Sequence, residues 1–231
     1  LFSPPHCVFC DKALDVRVRY CVCSECANKL PIVSEPKCRI CGIKLPTAHG
    51  DFECLNCKKE KRHFAQNVSR YAYKDNVQGA IKRMKFTANQ LWIADSLGLF
   101  LSETIQNEYG DINFDFVTYV PISDKRYHSR KFNQSRELAN AACEKLKLKL
   151  CSEIIIKPLD TKKQSGLNRK QRAENVKGAF VVKKPEEVID KTILLIDDVF
   201  TTGATLNECC KILKKAGALA IYTATVAIVC E

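Results

Sequence analysis

The sequence predicts an α/β domain, a mostly parallel sheet flanked by helices, preceded by a small cysteine-rich module. Three observations predict it. Nine of the 14 cysteines fall between Cys7 and Cys57. Beyond them, short apolar runs alternate with longer segments of helical periodicity, the order that builds a parallel sheet. Finally, residues 193–205 read Ile-Leu-Leu-Ile-Asp-Asp-Val-Phe-Thr-Thr-Gly-Ala-Thr, a buried strand running into a hydroxyl-rich turn that opens a helix. A chain of 231 residues has room for one such domain of ordinary size and a small module.

The cysteines form four Cys-x-x-Cys pairs, Cys7/Cys10, Cys23/Cys26, Cys38/Cys41 and Cys54/Cys57, with Cys21 left over. Twelve residues separate the first pair from the second, and again the third from the fourth, so one pattern occurs twice in tandem. Two thiolates two residues apart fit one knuckle around a tetrahedral ion, and two knuckles close a structural zinc site. Sequential pairing predicts two Zn²⁺ centres, Cys7/Cys10/Cys23/Cys26 and Cys38/Cys41/Cys54/Cys57. A cross-brace of alternate pairs remains open at this point, as do Cys21 in place of Cys23 and His6 or His49 as substitutes. A disulfide framework is disfavoured, because no basic-then-apolar export signal is visible and cytosolic thiols stay reduced. No run is long and uncharged enough to span a membrane, which predicts a cytoplasmic protein without a transmembrane segment. Cys143, Cys151, Cys209, Cys210 and Cys230 sit in apolar contexts and read as small core residues.

The basic stretch Lys58 to Arg62 marks a boundary, giving a module over 1–62 and a larger domain over 63–231. Strands are expected over His63–Lys74, Phe114–Pro121, Ile154–Ile156, 193–197 and 219–229. Helices are expected from Val77 to about Gln106, broken near Ala88-Asn89, then over Asn133–Leu148 and 204–216. Asp124 to Lys131 reads as a basic turn. Leu159 to Lys177 reads as a long polar loop carrying Lys162, Lys163, Arg169, Lys170 and Arg172, either a lid or a disordered segment. The net charge is +11. Two tetrathiolate zinc centres remove four of those charges, and the remainder still suits a polyanionic ligand.

The strand at 193 delivers its two acids to the carboxyl edge of the sheet, where open α/β folds bind ligands. Asp197 and Asp198 can accept hydrogen bonds from sugar hydroxyls. Thr201, Thr202, Gly203, Ala204 and Thr205 can wrap a phosphate with backbone N–H groups, hydroxyls and the positive end of the following helix. Gly203 spares the approaching oxygens a Cβ. A Walker B strand also ends in an acid, but no Gly-x4-Gly-Lys-Ser/Thr loop accompanies it, and no Gly-x-Gly-x-x-Gly suggests a dinucleotide fold.

This stretch resembles the phosphoribosyl-pyrophosphate (PRPP) loop of type I phosphoribosyltransferases. That likeness assigns residues 197, 198 and 201–205 to PRPP and implies Mg²⁺ on the diphosphate. Lys125, Arg126 and Arg130 are then placed to neutralise departing pyrophosphate. Tyr71-x-Tyr73, Ile81-x-x-Met84-Lys85-Phe86, Val120-Pro121-Ile122, Arg130-Lys131-Phe132-Asn133-Gln134, Leu138-Ala139, Gln164-Ser165-Gly166-Leu167, Arg172, Asn175 and Gly178-Ala179-Phe180 follow in order. With the double zinc ribbon and the loop, this order is similar to the ComF family over nearly the whole chain. Lys131 departs from it, standing where the family usually has Gly.

The resemblance implies a type I phosphoribosyltransferase-like fold and adds Ile122 and Ser123 to the pyrophosphate loop. It also implies a link, in transformable bacteria, to uptake of single-stranded DNA beside uptake proteins at the cytoplasmic side of the inner membrane. Two readings follow. One is a transferase moving phosphoribosyl to an unidentified acceptor. The other is a PRPP-responsive or single-stranded-DNA-binding factor without turnover. A blander alternative has the zinc module dock on the sheet's open edge as the hood over the acceptor site, shaping substrate choice without touching DNA.

Overall fold

The computed structural model describes residues 5–15, 21–46, 52–87, 90–161 and 166–230. Each half of the cysteine module ends in a short helix, α1 (Ser24–Lys29) and α2 (Leu55–Lys59), starting directly after Cys23 and Cys54. Then come β1 (Asn67–Ala72), α3 (Asp75–Phe86), α4 (Trp92–Tyr109), β2 (Phe116–Tyr119), α5 (Asp124–Arg130) and α6 (Gln134–Leu146). They are followed by β3 (Ile155–Ile156), α7 (Arg169–Val176), β4 (Val181–Val182), β5 (Thr192–Phe200), α8 (Ala204–Lys215) and β6 (Ala220–Ile228). The main sheet has the order β1-β6-β5-β2, and every pair in it is parallel.

β5 lies inside this sheet, and Ile193 to Ile196 are wholly buried. Successive side chains of a strand point to opposite faces, so Leu194 and Ile196 enter one core and Ile193 and Leu195 the other. The first core joins α3, α4 and α6 to the first half of the cysteine module. Phe9 there meets Tyr71 edge-on at 5.7 Å and stacks on Phe100 at 6.1 Å. The second core joins α8 and the end of α7 to the second half of the module, with Phe64 edge-on to Phe200 at 6.2 Å.

Both sheet edges are covered, which removes the free pairing surface an edge strand presents. The module supplies one cover: Val33 N–H donates to Arg70 O, Ala72 N–H to Pro31 O and Asn67 N–H to Ile40 O. At the other edge, Val117 N–H donates to Lys149 O and Cys151 N–H to Val117 O. The module therefore docks on the β1 edge.

Several sequence expectations need correction. Ile155–Ile156 does not join the main sheet; it pairs antiparallel with Val181–Val182. The basic turn 124–131 is the helix α5, since no breaker interrupts Asp-Lys-Arg-Tyr-His-Ser-Arg. Its C-cap is Lys131 at φ +68°, a left-handed conformation that favours glycine. The long loop is shorter than expected, because Asn168 and Gln171 close a capping box that starts α7. Lys162 and Lys163 lie outside the described residues, as do His49 and the Ala88-Asn89 break. β5 continues to Phe200 rather than ending at its acids. Cys143, Cys209 and Cys210 are buried as expected, Cys151 is half-buried and Cys230 is exposed.

Candidate functional site

The cysteines gather sequentially. In each set, Cys7/Cys10/Cys23/Cys26 and Cys38/Cys41/Cys54/Cys57, the four Sγ atoms lie within 4.8 Å of one another. Cys10 and Cys23 Sγ are 3.7 Å apart, and Cys41 and Cys54 Sγ are 3.6 Å apart. A tetrahedral ion with Zn–S bonds of about 2.3 Å needs sulfur separations of about 3.8 Å, so both sets fit structural zinc. Backbone N–H groups also turn inward: Cys23 N–H points to Cys7 Sγ and Cys54 N–H to Cys38 Sγ, each at 3.4 Å. Cys21 falls outside both sets. The ring of His6 bonds through Nδ1 to Asp11 O at 2.7 Å, which gives it a structural role.

At the far end of β5 the partner strand β2 has already stopped, because its last pair is Tyr119 with Ile196. Asp197 and Asp198 therefore emerge at a local opening of the sheet. Ser135 Oγ, in the first turn of α6, donates to Asp197 Oδ1 at 2.7 Å, and Asp198 N–H donates to the same oxygen at 2.9 Å. Lys85, near the end of α3, forms an ion pair with Asp198. Adjacent and buried, the two acids respond oppositely. Burial and the neighbouring Asp198 charge push Asp197 above the usual carboxylate range. Burial also opposes ionisation of Asp198, but Lys85 outweighs it, and Arg130 adds to the effect, so that carboxyl is held low.

The turn beyond Phe200 wraps onto α8. Gly203, its N-cap, has φ +77°. A Cβ there would strike the Phe200 ring, so the glycine has a packing reason besides the ligand approach inferred from sequence. The cap carries no side-chain oxygen; Thr202 Oγ1 accepts from Ala204 N–H at 3.3 Å, and Thr201 and Thr205 are half-buried beside it.

The basic residues assigned to pyrophosphate divide into two groups. Arg130 faces the acids, with its guanidinium 5.0 Å over the Phe86 ring and Nη1 donating to Gln134 Oε1 at 3.1 Å. Ser123, Lys125 and Arg126 instead converge on Asp160. Ser123 Oγ donates to Asp160 Oδ1 at 2.7 Å; Arg126 Nε and Lys125 Nζ lie 3.7 and 3.8 Å from that carboxylate. Arg126 also donates to Thr161 O at 3.0 Å. Ile122 lines a neighbouring cleft of about 530 Å³ together with Tyr127, Arg136 and Lys157, and none of residues 197–205 lines that cleft. Of the expected lid cations, Arg169 pairs with Glu60 and Arg172 Nε bonds Leu167 O, so both serve structure.

Sequence reasoning gave no role to Lys85, Ser135, Lys157 or Asp160. Lys157 is buried, donates to Thr161 Oγ1 at 2.8 Å, and has its pKa lowered to about 8 by burial and by Arg126. A lysine directly beyond the apolar β3 was the available signal. Ser135 gave none, and Lys85 stood only within the Ile81-x-x-Met84-Lys85-Phe86 run of the resemblance, since only tertiary folding brings α6 and α3 to β5.

Residues 133–228 match the phosphoribosyl transferase domain family, and residues 1–59 match the double zinc ribbon domain family. Competence protein F of Haemophilus influenzae is 30% identical over 216 residues, 92% of each chain. Competence protein ComFC of Streptococcus pneumoniae is 31% identical, across 88% of this chain and 86% of that one. The chain belongs to the ComF family. DNA utilization protein YhgH of Salmonella typhimurium is 28% identical over 96% of both chains. This ComF-type chain thus joins a phosphoribosyltransferase-like domain to a double zinc ribbon. The transferase match takes in Ser135, Asp197, Asp198 and 201–205 but begins after α5. Among the described residues, no helix is long and apolar enough to cross a membrane.

Proposed function

We propose that the carboxyl edge of β5 binds PRPP with Mg²⁺ and transfers its phosphoribosyl group to an acceptor, releasing pyrophosphate. One observation carries this reading: two buried acids near the end of β5, one bonded to Ser135 and the other paired with Lys85, stand a short turn before an N-cap without a side chain at the start of a 12-residue helix. Asp197 and Asp198 accept from the ribose hydroxyls. Residues Thr201 to Thr205 take the 5′-phosphate on backbone N–H groups and the helix dipole. Arg130 reaches the same edge from α5, while Ile122, Ser123, Lys125 and Arg126 form the pyrophosphate side. Mg²⁺ bound to the diphosphate would neutralise charge on the leaving group.

In the reaction, the acceptor's nucleophilic atom forms a bond to C1 of the ribose. The bond from C1 to the pyrophosphate oxygen breaks, and its electron pair departs with pyrophosphate. The chain's contribution is positioning and charge stabilisation. On the names of its relatives we assign this activity to competence or DNA utilisation, and on the family resemblance to single-stranded DNA uptake at the inner membrane. Residues 1–62 act in this reading as the zinc module and 63–231 as the catalytic domain.

Calorimetric titration of Mg–PRPP into the zinc-loaded protein tests the site. Wild type is expected to bind, and Asp197→Ala/Asp198→Ala to lose at least about tenfold in affinity, since each lost charge-assisted hydrogen bond is worth about 1.5–3 kcal/mol. A folded wild type that binds no PRPP would overturn the reading. Pyrophosphate release on offering bases, amines or nucleic acid then tests turnover.

A further inference from the structure

Lys85 touches the site from an element that belongs, by its anchorage, to the zinc module. Two residues before it, Arg83 donates from Nη2 to Val8 O at 2.6 Å and from Nη1 to Phe9 O at 3.3 Å. Both carbonyls lie in the knuckle between Cys7 and Cys10. At the other end of α3, Asn76 Nδ2 donates to Cys26 Sγ at 3.4 Å. Between these ties Val77, Ala80, Ile81 and Met84 are fully buried in the core shared with Cys7, Val8, Phe9 and Cys26. Both ends of the helix are thus fixed to one tetracysteine centre, and its last turn lays Lys85 on Asp198.

We propose that Lys85 is a positioning residue of the phosphoribosyl site, and that the first zinc centre sets its place through α3. This rests on the PRPP reading above. Adjacent carboxylates in a buried strand oppose each other's ionisation, and an ionised carboxylate is the stronger acceptor for a ribose hydroxyl. The charged and titratable groups facing Asp198 are Asp197 on its own strand, Lys85 from α3, Arg130 from α5 and Tyr73 beyond β1. Asp197 additionally faces Ser135 from α6, Lys157 beyond β3 and Cys209 from α8. Arg130 is engaged by Phe86 and Gln134. Lys85 is the cation in direct contact with Asp198, so it keeps that acid ionised and oriented. A zinc module at the far edge of the sheet thereby acts on the ligand site without touching the ligand.

The test uses the full zinc-loaded chain and Mg–PRPP calorimetry from pH 6 to 9, with zinc content and melting temperature measured for every variant. Lys85→Met is expected to bind at least about tenfold more weakly near pH 6.5 and to recover as pH rises, because Asp198 without its cation titrates upward, and one pKa unit is a factor of ten. Lys85→Arg should restore most of the affinity and the wild-type pH profile. Arg83→Met, which contacts neither Asp198 nor the ligand site, should retain zinc and show a smaller loss with the same displacement to higher pH. A pH profile identical to wild type in a folded Lys85→Met overturns the role of Lys85. An unchanged profile in Arg83→Met overturns the link to the zinc centre, and serves that purpose even where Lys85→Met does not fold. Absence of PRPP binding by wild type is a separate outcome, which removes the underlying reading itself.

Discussion

The two tetracysteine centres have the same spacing in sequence and different surroundings in the fold. In the first, Cys10 is exposed and Cys23 half-buried; from the larger domain the neutral amide of Asn76 reaches Cys26 Sγ, while Arg83 bonds the carbonyls of Val8 and Phe9. In the second, Cys38, Cys41 and Cys57 are buried, and Arg62, its side chain only 4% exposed, lies against Cys57. The centres serve opposite faces of the sheet. The first ties down α3 and, through it, Lys85 at the carboxylate pair. The second sits beside Glu60, whose carboxylate holds Arg169 with bonds of 2.7 and 2.9 Å. Arg169 opens α7, which packs against α8, the helix whose N-cap is Gly203. One repeated motif has thus become two anchors, one for each side of the candidate site.

The largest expected effect separates the centres by stability. Cys41→Ser removes a buried ligand from the second core. A structural zinc site contributes about 10–16 kcal/mol of apparent folding free energy, so little soluble, folded protein should remain. Cys10→Ser should leave a folded protein with one weakened centre, and a chelator added to wild type should strip the first zinc before the second. Metal analysis after graded chelation checks this; simultaneous loss of both ions would erase the distinction. Next in size is Arg62→Met. Leaving the dianionic tetrathiolate centre without its buried cation should cost about 3–5 kcal/mol and weaken the second zinc alone, read from melting temperature and zinc content. Equal weakening of both centres would show that Arg62 acts on the whole module.

Much of this was legible in the sequence, for reasons that also mark its limits. The zinc pairs, the strand at 193 and the helix at 204 are carried by contiguous residues whose spacing alone specifies geometry. α5 is not legible because a cluster of charges looks like a loop, while helix formation depends on the absence of breakers. The detached β3–β4 pair was missed because two-residue strands have no period to read. Lys85, Ser135 and Asp160 were missed for a different reason. Each reaches the site from a separate element, and nothing local in the sequence fixes where it ends up.

The Asp160 contact sharpens the comparison on the side of the second centre. Ser123, Lys125 and Arg126, the groups expected to hold pyrophosphate, already surround this carboxylate, whose pKa is lowered first by the Ser123 hydrogen bond and then by Arg126 and Lys125. A ligand anion must displace it. Asp160→Asn keeps the shape and removes the charge, so inorganic pyrophosphate should bind several-fold more tightly than to wild type. The gain should shrink at high salt, because the competing contacts are exposed and screened. Unchanged affinity would mean that pyrophosphate sits elsewhere, with the Arg130 group. On the side of the first centre, the same substitution should leave the pH displacement caused by Lys85→Met untouched, since Asp160 is not among the groups acting on Asp198.

The smallest expected effect lies on α5, between the two anchors. Lys131 holds φ +68° at the helix C-cap, with its N–H bonded to Tyr127 O at 2.6 Å, where the family resemblance places Gly. A side chain in the left-handed region costs about 1–2 kcal/mol, a cost glycine avoids but partly returns through its greater freedom when unfolded. Lys131→Gly should therefore stabilise the protein by about 1 kcal/mol or less, seen as a rise of a few degrees in melting temperature. Zinc content should stay unchanged in both centres. If the variant is instead destabilised, the Lys131 side chain makes a contribution that outweighs its backbone strain, and the departure from glycine has a local function on the basic helix. If it is stabilised while pyrophosphate affinity holds, the anion side of α5 is shaped by the Asp160 contact with Ser123 and Arg126 and not by the helix C-cap.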